Sequence, residues 1–105
     1  MTTDLRIDLP IGAIADFCRR WKIREFAVFG SILRADFRPD SDVDVLATFD
    51  DAATWTLLDH VGMQDELREM LGRHVDLLTR AGVEHSANPE RRREILESAR
   101  VVHAA

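Results

Sequence analysis

The sequence predicts an α/β (α+β) fold, a mixed β-sheet packed by helices, and three observations carry that expectation. Apolar residues recur at helical spacing in separate segments, β-forming runs alternate with those segments, and glycine or proline punctuates the junctions. The resulting order is helix, strand, turn, strand, helix, strand, helix, with a last short strand compatible with Val101-Val102-His103. At 105 residues the chain has the length of a single domain, 1–105, with room for one modest core.

Each element has a local cause. Pro10 suits a first helical turn, and Ile11, Ile14, Phe17, Cys18 and Trp21 then recur on one face, so a helix is expected from about Leu9 to Trp21. Arg24 to Phe29 is rich in β-formers and closes on Gly30. Ser31 to Ala35 fits one helical turn, and Arg38-Pro39-Asp40-Ser41 is loop chemistry. Asp42 to Phe49 is a strand with Val43, Val45, Ala47 and Phe49 on one face and Asp42 and Asp44 on the other. Thr54 to Leu71 places Leu57, Leu58, Val61, Leu67, Met70 and Leu71 at helical intervals and stops at Gly72. His74 to Thr79 is a third strand. Asn88-Pro89 pairs a capping side chain with a first-turn proline, starting a helix that runs to about Ala99.

Bulk composition excludes several classes. Apolar residues make up 46% and charged residues 31%, the balance of a folded globular chain. A formal charge of −5 argues against a protein that coats nucleic-acid backbone, so no direct nucleic-acid binding is expected. Cys18 is alone, which rules out an intrachain disulfide and a cysteine zinc site, and its neighbours Phe17 and Trp21 suggest a buried thiol. Residues Met1 to Arg6 lack the apolar core of a signal peptide and no run approaches membrane-spanning length, so the expected address is cytoplasmic, with no membrane partner.

Chemistry concentrates between Phe29 and Asp44. A strand entering a Gly30-Ser31 turn and then a helical turn aims backbone N–H groups and a hydroxyl at one point, an arrangement suited to a triphosphate tail. Eleven residues after Ser31, Asp42 and Asp44 leave the same strand face. Two carboxylates so close repel, and in a partly desolvated site a divalent cation resolves the conflict. Mg²⁺ prefers such oxygens and completes its shell with water and substrate phosphates. Asp76, an ionisable residue among the apolar residues of the His74–Thr79 strand, is the third candidate ligand.

Gly30-Ser31, then Arg34, then Ser41-Asp42-Val43-Asp44 resembles the signature of the DNA polymerase β-like nucleotidyltransferase superfamily, specifically its minimal nucleotidyltransferase (MNT) group. The likeness covers the core from about 23 to 79. It implies the polymerase β-like nucleotidyltransferase fold. It implies nucleotide binding by Gly30, Ser31 and Arg34, and catalytic metal binding by Asp42, Asp44 and Asp76, with two Mg²⁺ ions and ATP as substrate. In that group the third carboxylate helps activate the incoming hydroxyl. Ala35 stands where many relatives carry glycine, a departure in the turn itself. Larger relatives that adenylylate aminoglycosides carry an extra helical domain for the acceptor, so a chain of this length is expected to take its acceptor from a partner protein. The resemblance therefore implies the antitoxin of a HEPN/MNT pair, transferring AMP to a tyrosine of a HEPN toxin within a hetero-oligomer. The 105 residues contain no tyrosine of their own. Two other classes are open to the sequence: an antitoxin that neutralises by binding alone, and a small-molecule nucleotidyltransferase completed by a separate helical subunit.

Single residues carry plainer readings too. Asp42 could cap a loop; Asp76 could pair with Arg73 or Arg80; Arg34 could bind phosphate or pair with Asp36 or Asp40. Arg91-Arg92-Arg93, interleaved with Glu90, Glu94 and Glu97, reads first as a solvated helix face, with partner docking or contact with a nucleotide tail as the lesser reading. Trp55 and Met63 read as core. The four histidines show no metal-ligand spacing, although His74 shares strand parity with Asp76 and stands at the edge of the site.

Overall fold

The computed structural model describes residues 9–34, 37–38 and 40–104. Along the chain run α1 (Ile11–Arg20), β1 (Ile23–Phe29), a 3-10 turn (Gly30–Leu33), β2 (Val43–Phe49), α2 (Leu57–Leu71), β3 (Val75–Thr79), α3 (Arg80–Glu84), α4 (Pro89–Ser98) and β4 (Arg100–Ala104). The strands form one mixed sheet in the order β3-β2-β1-β4. β1 is antiparallel to both β2 and β4, and β2 runs parallel to β3 with α2 as the crossover.

Pro10 caps α1 instead of entering it, and the helix buries Ile14, Phe17 and Cys18. Lys22 then takes a left-handed conformation with φ of 57°, turning the chain into β1. α2 begins three residues later than its apolar spacing suggests, because a capping box defines the start: the Asp59 N–H donates to Thr56 Oγ1 at 3.2 Å and the Thr56 N–H donates to Asp59 Oδ2 at 2.9 Å. It ends as expected at Gly72, in the left-handed region with φ of 68°. Asn88 caps α4 through the Arg91 N–H at 3.1 Å, again as the sequence suggests.

Both faces of the sheet are covered. On one, Phe26, Val28, Val43, Val45, Ala47, Val75 and Leu77 pack against Ile14 and Phe17 of α1 and Met63 and Leu67 of α2. Trp21 and Trp55 border this core, with ring centroids 5.1 Å apart and the Trp55 indole donating to the Trp21 carbonyl at 2.7 Å. On the other, a smaller cluster joins Ala27, Phe29 and Leu46 to Val83 of α3 and Ile95 of α4. Leu57, Leu58 and Val61 correct the expected helix face. They are 81%, 79% and 47% exposed, and Met63 and Leu67 take the core positions.

α2 also closes the free edge of β3. Gln64 accepts from the Leu77 N–H at 2.9 Å, and His60 Nε2 lies 2.9 Å from the Leu77 carbonyl, so side chains one helical turn apart occupy both outward backbone groups of that residue. No helix among the described residues is long and apolar enough to cross a membrane.

Candidate active site

The site lies where β1 ends and β2 and β3 begin. Antiparallel register sets Phe29 opposite Asp44, which brings the turn after β1 directly onto that aspartate. Gly30 adopts φ of +78°, and a Cβ there would stand 2.3 Å from Asp44 Oδ2. Glycine is thus required twice, for the backbone conformation and for the close approach of the carboxylate. Buried Ile32 anchors the turn from below, and the Arg34 N–H closes it by donating to the Ser31 carbonyl at 2.9 Å. The Ser31 hydroxyl donates to the Asp42 carbonyl at 3.3 Å, tying the turn to the start of β2.

The loop before Asp42 is held from the side. Arg73 stacks its guanidinium 4.9 Å above the Phe37 ring and donates to the carbonyls of Arg38 and Ser41, each at 3.3 Å. Arg80 pairs with Glu25 and Glu84. Both arginines that could have neutralised Asp76 are therefore engaged elsewhere, and Asp36, one alternative partner of Arg34, lies outside the described residues.

Asp44 and Asp76 are register partners on the parallel strands β2 and β3, so strand alternation turns both toward one face. Asp42, His74 and Asp76 each offer a ligand atom within 4.8 Å of one another. His74 Nε2 stands 3.7 Å from Asp76 Oδ1, and both side chains are about half exposed. The trio read from sequence is thus brought to one region with a difference of detail. His74 joins Asp42 and Asp76 at a single point, and Asp44 sits beside them with Oδ2 turned against Gly30.

Electrostatics tests whether these groups suit a cation. Burial pushes the Asp44 carboxyl above the ordinary carboxylate range, Asp76 and Asp42 push it further in the same direction, and Arg91 and Arg34 oppose them. Two exposed carboxylates beside the partly buried Asp44 form a cluster of like charge that a divalent ion would relieve, and the carboxylate donors suit a hard cation such as Mg²⁺. A cleft of about 580 Å³ is lined by Asp42 and Asp44 together with Gly30, Ser31 and Arg34 and with Arg91, Glu94 and Ile95 of α4. Arg91 is the cleft residue that sequence reasoning assigned to a solvated face before a nucleotide tail. Its charge-rich helix looks like a solvated face until the chain folds α4 back over the sheet.

Comparison with known proteins agrees with this geometry. Residues 12–102 match the nucleotidyltransferase domain family. Over 64 residues the chain is 36% identical to the protein adenylyltransferase MntA of Thermococcus cleftensis, covering 61% of this chain and 63% of that protein. It thus spans less than two thirds of that relative's length. A solved structure assigned to the minimal nucleotidyltransferases superposes with a TM-score of 0.64 at 34% identity, covering 86% of each chain. The fold is also similar to that of a chain in the solved complex of a tri-AMPylated Shewanella oneidensis HEPN toxin with its MNT antitoxin. There the TM-score is 0.62 at 18% identity, over 90% of this chain and 70% of that one.

Proposed function

The chain belongs to the nucleotidyltransferase domain family, and from that premise we propose that it transfers AMP from ATP to a tyrosine hydroxyl of a partner HEPN toxin and so acts as the toxin's antitoxin. One observation carries the reading: Asp42 and Asp44 line one cleft together with the Gly30-Ser31 turn, and Asp76 adjoins them as the register partner of Asp44 and within ligand distance of Asp42. The named activity of the Thermococcus relative and the AMPylated toxin of the Shewanella complex support the reaction and the partner.

Residue roles follow from chemistry. The turn's N–H groups, the Ser31 hydroxyl and Arg34 hold phosphate oxygens and align the α-phosphorus. The acceptor oxygen attacks that phosphorus in line, the bond to the bridging oxygen breaks, and pyrophosphate leaves. Asp76, half exposed beside His74, helps take the hydroxyl proton. Asp42, Asp44 and Asp76 would hold Mg²⁺, two ions in all, which when bound offsets charge on the entering and leaving oxygens. None of the 105 residues is a tyrosine, so an acceptor tyrosine lies outside them.

The test is intact-mass analysis of the neighbouring-gene HEPN protein after incubation with this protein, ATP and Mg²⁺. One or more added AMP groups are expected, and Asp44→Asn should lower the rate about 10³-fold or more while keeping the fold. ATP binding without any added AMP overturns the enzymatic reading. A variant lacking both Asp42 and Asp44 carboxylates that still neutralises the toxin would favour neutralisation by binding alone.

A further inference from the structure

Building on the proposed nucleotide site, we infer that Arg91 is a phosphate-binding residue, contributed by α4 to the cleft that the Gly30-Ser31 turn also lines. Its position is the first argument. Arg91, from α4, lines the same cleft as Gly30, Ser31, Asp42 and Asp44, as does Arg34 from the end of the turn. A ligand in that cleft therefore has two guanidinium groups along its lining, contributed by two different segments of the chain.

Charge balance is the second. Asp42, Asp44 and Glu94 line the cleft against Arg34 and Arg91, an excess of acid before any phosphate enters. A triphosphate adds further negative charge, which metal ions on the carboxylates offset only in part. Without Arg91 the lining would set three carboxylates against the single guanidinium of Arg34, so Arg91 lowers the electrostatic cost of admitting a triphosphate.

Availability is the third. The backbone N–H of Arg91 is fixed by the Asn88 cap, which holds the first turn of α4 in place. Its neighbour Arg92 is committed to the Ser86 carbonyl at 3.1 Å. Among the described residues no side-chain hydrogen bond or ion pair engages the Arg91 guanidinium, and Glu94, three residues on, lines the cleft without pairing to it. A planar fork of donors with this freedom matches the paired oxygens of a phosphate group.

Calorimetric titration with ATP and, separately, with inorganic triphosphate, both in Mg²⁺, tests the assignment. Arg91→Ala should weaken both ligands by a similar factor, about 10- to 100-fold. Arg91→Lys should recover part of the loss because it restores charge without the fork. Arg93→Ala, on the same helix, should stay within about twofold of wild type. Unchanged triphosphate binding in Arg91→Ala overturns the inference, whether or not ATP binding falls. Wild-type protein that binds neither ligand overturns the nucleotide site as well, so the two failures are distinguishable.

Discussion

The two faces of the four-stranded sheet do opposite things. One face carries Phe26, Val28, Val45 and Leu77 into a continuous core with α1 and α2; the other interrupts its apolar surface with Asp44 and Asp76 and is covered only in part by α3 and α4. Alternation along each strand makes this division possible, because adjacent residues of β2 serve packing and chemistry in turn. The difference teaches that stability is concentrated away from the cleft, which frees the second face to hold open space and mutually repelling carboxylates.

Mutations on each face should separate these roles, and the largest effect belongs to the packed face. Phe17→Ala removes a fully buried ring in contact with Phe26 and should cost about 3–5 kcal/mol in denaturant unfolding. Ile95→Ala, in the smaller cluster, should cost about 2 kcal/mol, since the side chain already borders both the cleft and a second cavity of about 350 Å³. Equal losses at the two positions would break the comparison.

Gly30→Ala should cost about 1–2 kcal/mol, from the left-handed backbone alone. Its larger consequence is local, because the new methyl displaces Asp44 Oδ2 and should suppress AMP transfer well beyond what the stability loss explains. A variant destabilised but fully active would show that the approach of Gly30 to Asp44 is dispensable.

The smallest effect has the opposite sign. The folded-state pKa of Asp44 is raised, so its contribution to stability is complete below the ordinary carboxylate value of 3.8 and is lost as pH rises through the folded-state value. Without metal, Asp44→Asn should therefore be more stable than wild type at pH 7, by about 0.5–1 kcal/mol. The gap should close below the ordinary value, and Mg²⁺ should stabilise wild type more than the variant. Denaturant unfolding at both pH values, with and without Mg²⁺, checks the sign; a wild type more stable at pH 7 without metal contradicts it.

Much of this was legible in sequence wherever the cause was local. Gly72, Asn88-Pro89 and Asp44 within β2 each follow from a few neighbouring residues and stand where expected, while Asp42 falls one residue before the strand that was expected to include it. α3 was not legible, because five residues following β3 directly are too few to show a helical period. The Leu57, Leu58 and Val61 face was misread because spacing reports a helix without saying which stripe meets the sheet. Arg91 and His74 were harder still. Their parts in the site depend on α4 folding across the sheet and on β3 pairing beside β2, both products of long-range contact.

The cap that His60 and Gln64 place over Leu77 has a bearing on how another protein can meet this one. A bare edge strand invites a foreign strand to extend the sheet, and β3 is the edge that bears Asp76. With its outward backbone groups at Leu77 already taken, that edge resists strand addition next to the site. A polypeptide approaching Asp76 must instead reach in with a side chain projecting from its own folded surface, so shape complementarity between two finished folds, and not shared backbone, sets which molecules gain entry.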